Sequence, residues 1–234
     1  MAEGGSLSHF VDALRFRPVF TTEWLEGQDG LRFKRMELEA GEYLFRAGER
    51  HPYMYHVVSG LVRIYLLSDE GTAKTLFYHA AGTQFGFQGF REDGATVSSA
   101  VAEAPSTVLA ISYCDLFAFC DAHPAYYKAC VVYLFQISNS QTEEIASLSF
   151  QTGAQRLGAL LYSLACSQPA KARRDGGEIV IPYTIDRLAE IIGAHRNTVS
   201  SALGRLRQEG IIGRQLKPIV VVDVDGLARS LHAR

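Results

Sequence analysis

Four hydrogen-bonding side chains, Arg196, Asn197, Ser200 and Ser201, stand close together just after a short apolar segment. Arginine offers a fork of donors, asparagine a donor beside an acceptor, and serine a hydroxyl that does either, a set suited to base edges in a major groove. Val199, Leu203 and Leu206 recur among and after them at helical spacing, so the segment reads as a helix with one side to bury and the other left free. Before it, Leu188 and Ile192 fall four apart in a second helix that Thr184 can cap, and Gly193 breaks the two. Thr184 to Ile212 thus has the layout of a helix-turn-helix DNA reader. Thr184, His195, Thr198 and Arg205 join the four central residues in the expected DNA-contacting set. Gly210 can end the second helix in a left-handed conformation. Gly213 to Lys217 then reads as a basic turn and Ile219 to Val222, introduced by Pro218, as a β-branched run, together a wing hairpin. A helical hairpin that merely packs is the plainer alternative, but packing does not demand four base-compatible groups at a helix start.

No other constellation reads as chemistry of the catalytic kind. Paired acids, a Ser/His/Asp arrangement and a phosphate loop are absent at interpretable spacing, so no catalytic residue and no enzyme activity is expected. Cys114, Cys120, Cys130 and Cys166 lie in apolar segments without CxxC spacing, which favours buried thiols in a reducing compartment over a disulfide framework. His51, His56 and His79 lack the tight spacing of a metal site, and no metal or cofactor is expected.

Charge separates the chain into two parts. The net charge of −2 divides into +5 over residues 150–234, with 12 Lys and Arg against 7 Asp and Glu, and −7 over residues 1–149. The basic part suits phosphates and the acidic part repels them. With 234 residues and 47% hydrophobic content the chain can bury a full core, and two modest domains fit better than one large one. No apolar run reaches the length of a membrane span and MAEGGSLSHF lacks the pattern of a secretion signal, so a cytoplasmic protein without membrane contact is expected.

The elements that must position these groups follow from periodicity. Residues 36–111 carry short β-rich runs between glycines at 41, 48, 60, 71, 82, 86 and 89, the rhythm of a compact antiparallel barrel or roll with seven or eight strands. Met54–Val58, Leu61–Leu67, Lys74–His79 and Thr107–Ile111 are the clearest strands. From Asp115 the pattern turns helical, pauses at His123-Pro124, and runs from about Ala125 to Ser147 without Gly or Pro, on the order of 34 Å of helix. Tyr127, Val131, Leu134, Ile137 and Ile145, with Phe135 and Leu148 beside them, make an apolar stripe wide enough for both a barrel and a partner helix, which implies a homodimer. Ser147 to Gly153 reads as a hinge, Ala154–Cys166 as a further helix, Gln168–Gly177 as a surface loop and Glu178–Pro182 as a strand. The fold class is α+β: an N-terminal antiparallel β-roll of the jelly-roll or double-stranded β-helix kind in residues 1–124, a long dimerisation helix with hinge in 125–150, and a winged helix-turn-helix in 151–234.

This order of elements, with the string IIGAHRNTVSSAL, closely resembles the Crp/Fnr family of bacterial transcription regulators, and the likeness spans nearly the whole chain. The resemblance implies a dimer that places two recognition helices in successive major grooves of a pseudo-palindrome, a small effector held between roll and long helix, and RNA polymerase as a further partner if the protein activates. The match holds at Arg196, Thr198, Val199 and Ser200 and departs at Asn197 and Ser201, where the family most often carries Glu and a second Arg. Arg196 suits guanine O6 and N7, and Asn197 prefers adenine to the cytosine amine that Glu reads, which points to a half-site of this chain's own.

The resemblance also exposes what the roll lacks. Nucleotide-binding members grip the ribose and cyclic phosphate with a Gly-Glu-Leu turn and a later Arg-Ser or Arg-Thr. Here the turn is Phe85-Gly86-Phe87-Gln88-Gly89 and the later position falls near Val97-Ser98-Ser99, so glycine stays while acid and arginine are gone, and cyclic AMP is not expected. Oxygen-sensing relatives hold an iron–sulfur cluster through N-terminal cysteines, and this chain has none before Cys114. The pocket region is instead aromatic. Phe77, Tyr78, Phe85, Gly86, Phe87, Gln88 and Phe90 from the roll, with Tyr133, Ile137 and Gln141 from the long helix, form the expected effector site. That composition suits a planar apolar effector such as a phenol or aromatic acid, as in the halorespiration regulators that TLFYHAAGTQFGF also resembles. A haem- or redox-sensing regulator of the same fold, or a cupin-type metalloenzyme, stands as the alternative.

Overall fold

The computed structural model describes residues 20–89, 95–167 and 179–231, and the chain divides into two compact units, Phe10–Gln141 and Thr142–Arg234. The first unit holds helix α1 (Thr22–Glu26), eight short strands, helix α2 (Tyr113–Ala122) and the first part of α3 (Ala125–Phe150). Strands β1 (Lys34–Leu38), β8 (Ser106–Ser112), β3 (Tyr53–Ser59) and β6 (Gln84–Phe85) form one antiparallel sheet in that order. Strands β2 (Tyr43–Phe45), β7 (Ser99–Ala102), β4 (Leu61–Leu67) and β5 (Ala73–Ala80) form the other.

Alternation along β3 and β8 shows why these strands read as nearly unbroken apolar runs. Tyr55, Val57, Val108 and Ala110 face a core shared with Val62, Ile64 and Phe77 of the second sheet, while Met54, Leu109 and Ile111 face outward onto Leu25 of α1 and Leu116 and Phe119 of α2. The sheet is covered on both faces, so apolar residues dominate both of them. Each of the fully buried side chains Met54, Leu109 and Ile111 contributes roughly 1.5–3 kcal/mol by leaving water. Tyr133 and Ile137 of α3 complete the inner core.

A polar network ties α1 to this sheet. The Gln84 side-chain amide donates to Phe20 O at 2.8 Å and Gly82 O at 3.2 Å and lies 2.6 Å from His56 Nδ1. Two carbonyl acceptors fix that group as the NH2 end, so Nδ1 must accept and His56 carries its proton on Nε2, which donates to Thr22 Oγ1 at 2.7 Å. Burial pushes His56 down from 6.5 to about 4, because a second proton would be desolvated.

In the second unit, α4 (Gly153–Ser167), α5 (Ile185–Ile192), α6 (Arg196–Gln208) and α7 (Val224–Ser230) surround a sheet ordered β10 (Ile212–Leu216), β11 (Ile219–Val221), β9 (Ile179–Ile181). Leu157, Leu161, Leu188, Val199, Leu203, Val221 and Leu227 are all fully buried in it. The expected basic turn at Gly213 to Lys217 is corrected here. Most of it is strand β10, because Ile212 pairs with Val221 and Leu216 with Ile219, leaving only Lys217-Pro218 to make the turn. Helix α2 starts at Tyr113, earlier than expected, because the Ser112 hydroxyl accepts from Asp115 N at 3.0 Å and caps it. Among the described residues no helix is long and apolar enough to cross a membrane.

The buried histidines make the roll acid-sensitive. His56 stays neutral in the folded state down to about pH 4 and His79 down to about pH 3, whereas both take a proton near 6.5 when unfolded. The unfolded chain therefore binds more protons as pH falls, and stability that is full above 6.5 drains away below it. Urea unfolding followed by Trp24, the single tryptophan, which lies in α1 against Phe20 and Tyr126, should lose about 2–4 kcal/mol between pH 7.5 and pH 5. A flat profile over that range would show that these rings are not kept neutral.

Candidate functional site

Two places in the structure gather polar groups that folding alone does not require. The first is the α5–turn–α6 segment. Thr184 Oγ1 accepts from Arg187 N at 3.2 Å and starts α5, and Gly193, at φ 62°, sends the chain through a left-handed turn while Ala194 N donates back to Ala189 O at 3.1 Å. Glycine is the residue that takes this conformation without a Cβ penalty. Arg156, from the first turn of α4, closes the turn from outside. Its Nε donates to Ile192 O at 2.8 Å, Nη2 to Gly193 O at 3.1 Å and Nη1 to Gln151 O at 2.6 Å.

Helix α6 is divided cleanly. Val199, Ala202, Leu203 and Leu206 are buried, whereas His195, Arg196, Asn197, Thr198, Ser200 and Ser201 are all exposed at its N-terminal end. The Arg196 guanidinium is held through Nη1 by both carboxylate oxygens of Asp186 in α5, which leaves Nε and Nη2 to point elsewhere. Thr184 is spent on its cap but remains exposed. Arg205 departs from the expected set: at about 100° per residue it lies half a turn round from Arg196, and it lines a groove with Gln155, Glu209 and Asp223. Arg207, which sequence reading passed over, falls on the flank of Arg196 and is exposed; counting helical positions would have found it. At Gly153, the last residue of the expected hinge, a Cβ would come within 2.8 Å of Thr198 Cγ2, so the small residue lets α4 approach α6.

The second place is a cavity of about 190 Å³ in the roll unit. Of the expected effector residues Phe77, Phe85, Gly86, Phe87, Gln88, Ile137 and Gln141 line it. Tyr78 does not, because Phe77 and His79 face the cavity and the residue between them on strand β5 must face the other way. Tyr133 also stands outside the lining. It is buried, packs its ring against Phe87 at 5.6 Å and donates its hydroxyl to Gln84 O, so it supports the wall from behind. Phe90 lies outside the described residues. Ile64, His79, Leu134 and Ser138 complete the lining; alternation along β4 and β5 and helical spacing along α3 were the signals for them.

Gly86 shapes the floor. Its φ of +100° is left-handed, a Cβ would meet Tyr53 O at 2.6 Å, and Tyr113 donates its hydroxyl to Gly86 O at 2.5 Å. The three roll histidines have separate fates: His56 is bonded at both nitrogens, His51 stacks on Phe45 with ring centres 3.8 Å apart, and His79 lines the cavity. Among the described residues no group of three or more His, Cys, Asp or Glu could hold a metal ion. The thiols of Cys120 and Cys130 hydrogen-bond one another, and burial pushes both up, Cys130 to about 12, the opposite of what a reactive thiolate needs.

Comparison with known proteins agrees with this anatomy. Residues 35–123 match the cyclic nucleotide-binding domain family and residues 155–230 the Crp-like helix-turn-helix domain family. The cAMP-activated global transcriptional regulator CRP of Haemophilus influenzae is 28% identical over 179 residues, 76% of this chain and 79% of that protein. Among solved structures, a mutant of CooA from Carboxydothermus hydrogenoformans superposes with a TM-score of 0.75 at 20% identity, covering 94% of this chain and 100% of that one. OCPA-complexed CprK does so with a TM-score of 0.67 at 22% identity, covering 85% and 89%. With an antiparallel roll, a long helix and a DNA-binding helix-turn-helix following in that order, the chain belongs to the Crp/Fnr family of transcription regulators.

Proposed function

We propose that the protein is a ligand-responsive, dimeric, cytoplasmic transcription regulator that reads a pseudo-palindromic operator, with residues 1–124 sensing the effector, 125–150 serving dimerisation and hinge, and 151–234 binding DNA. The observation that carries the reading is α6, whose apolar side is fully buried while Arg196, Asn197, Ser200 and Ser201 stay in solvent at its start. Burying one side fixes the helix, and the free side then presents hydrogen-bonding groups at a set angle to a major groove. Arg196 is the guanine reader and Asn197 the adenine reader. RNA polymerase is a further partner if the protein activates.

Helix α3 supports the dimer. Val131, Phe135 and Ile145 are 45%, 64% and 64% exposed, and with Ser138 and Thr142 between them they repeat at spacings of four and three, the period of a two-helix seam. Covering each large apolar group there contributes about 1.5–3 kcal/mol, enough for a symmetric pair. The effector reading rests on the cavity. By the family resemblance Phe87 falls where nucleotide-binding relatives have a ribose-binding acid, and the place of their phosphate-binding arginine falls near Val97-Ser98-Ser99, which favours a small aromatic or other non-nucleotide molecule over the cyclic AMP named for the Haemophilus relative. Leu134, Ser138 and Gln141 bring the cavity wall onto the same helix as the seam, and an effector shifts an equilibrium only through contacts that differ between its states.

Two measurements test this. On an operator selected from random DNA, Arg196→Ala should cost about 1–3 kcal/mol of binding while leaving affinity for random duplex and the salt slope nearly unchanged; equal losses on both would remove Arg196 from base reading. Phe135→Glu with Ile145→Glu should convert a dimer in sedimentation to a monomer with the same helical content. A double variant that stays dimeric would place the seam elsewhere.

A further inference from the structure

Asp186 puts a carboxylate on the surface that the proposed reading of DNA turns toward phosphates. It stands in the first turn of α5 with its side chain 60% exposed, and both of its oxygens accept from Arg196 Nη1 across the Gly193 turn. An ion pair this open adds little to folding. Beside DNA the acid is also unfavourable, since it repels the phosphates that supply most of the attraction. Neither stability nor phosphate binding accounts for the pair, which leaves its effect on Arg196 itself.

The carboxylate is a fixed anchor. Its side chain is short, it lies two residues past Thr184, whose hydroxyl accepts from Arg187 N at 3.2 Å to start α5, and a helix N-terminus favours a negative charge there. Arg196 opens α6, which Val199, Ala202 and Leu203 hold in the core. Two anchored helix starts thus share one ion pair. A guanidinium can meet a base with two donors along either of two edges, Nη1 with Nη2 or Nε with Nη2. Asp186 occupies the first edge at Nη1, and among the described residues Arg196 gives no hydrogen bond to any other group, so the second edge stays whole.

We propose that Asp186 is a positioning residue that sets base specificity: by holding Nη1 it turns the Nε–Nη2 edge of Arg196 to the O6 and N7 acceptors of guanine and keeps the side chain from reaching a phosphate instead. This rests on the reading of α6 as the DNA-recognition helix. Both consequences of the acid raise discrimination. An ordered pair of donors favours the specific complex, and a carboxylate facing the backbone weakens every complex that has no base contact to offset it.

Anisotropy titrations of the full-length protein with a selected operator, its guanine-to-adenine variants and a random duplex test it. The guanine read by Arg196 is the one whose replacement costs nothing further in Arg196→Ala, and the wild type should lose about tenfold or more when it is replaced. Asp186→Ala should bind the operator several-fold more weakly, bind the random duplex more tightly, and lose most of the preference for that guanine. In an Arg196→Ala background the same substitution should tighten operator and random duplex alike, because only repulsion is then relieved. Equal tightening on both duplexes in the presence of Arg196, with the guanine preference intact, overturns the role of Asp186 and leaves Arg196 as the reader. Tighter operator binding with a stronger preference also overturns it, since the carboxylate would then compete with the base. A wild type with no guanine preference for Arg196→Ala to remove overturns the recognition-helix reading beneath. Should Asp186→Ala fail to fold, Asp186→Asn decides by the same two signs, weaker guanine preference with tighter random binding.

Discussion

Arg156 donates from all three of its guanidinium nitrogens to main-chain carbonyls, of Gln151 just past the end of α3 and of Ile192 and Gly193 at the turn of the helix-turn-helix. The last carbonyls of a helix have no partner within it and carry the negative end of its dipole, so a cation there is favourable twice over. The consequence reaches beyond α5. The same charge joins the point where the chain leaves α3, the start of α4 and the turn between α5 and α6, and so works with the buried side of α6 to hold the helix that carries Arg196. Gly153 serves the same junction by letting α4 close on Thr198. The three bonds tie the chain just past the end of α3 to the turn of the helix-turn-helix.

From α5, Asp186 performs a smaller version of the same task on Arg196 of α6. Held at Nη1, the Arg196 side chain keeps one orientation with two nitrogens free, although an ion pair about 60% exposed at each partner adds little to stability. For the proposed reading of DNA its value lies in preorganisation, since a long flexible side chain ordered before binding loses less entropy on meeting a base. The basic second half and acidic first half of the chain fit the same division of labour: phosphates attract only the part that carries the reader.

Two of the three histidines in the roll have contrasting neighbours. His56 is fully partnered and spends its hydrogen bonds on closing α1 over the sheet, while His79 packs between the Phe77 and Phe85 rings with Nδ1 buried and unpartnered. Both rings are held neutral by burial. The difference lies in neighbours contributed from distant parts of the chain.

That is also where sequence reading stopped. Strands β3, β4, β5 and β8, the long α3 and the helix-turn-helix were legible because each carries a strong period, and Thr184, Gly193 and Gly210 mark ends that local backbone chemistry dictates. The two-residue β6 and three-residue β2 were not legible, since pairing with neighbours and not their own pattern makes them strands. Phe77, Phe85, Phe87 and Gln141 were placed in the site by composition, but the facing of Tyr78 and His79 required the register of β5, and Arg156 reaches carbonyls 36 and 37 residues away. The most direct measurement of the central claim is selection of bound sequences from a pool of random duplexes by the full-length protein. A regulator with paired α6 helices should enrich an inverted repeat with a guanine in each half and half-sites centred about one helical turn, roughly 10 base pairs, apart. No enrichment, or a single unrepeated site, would contradict it.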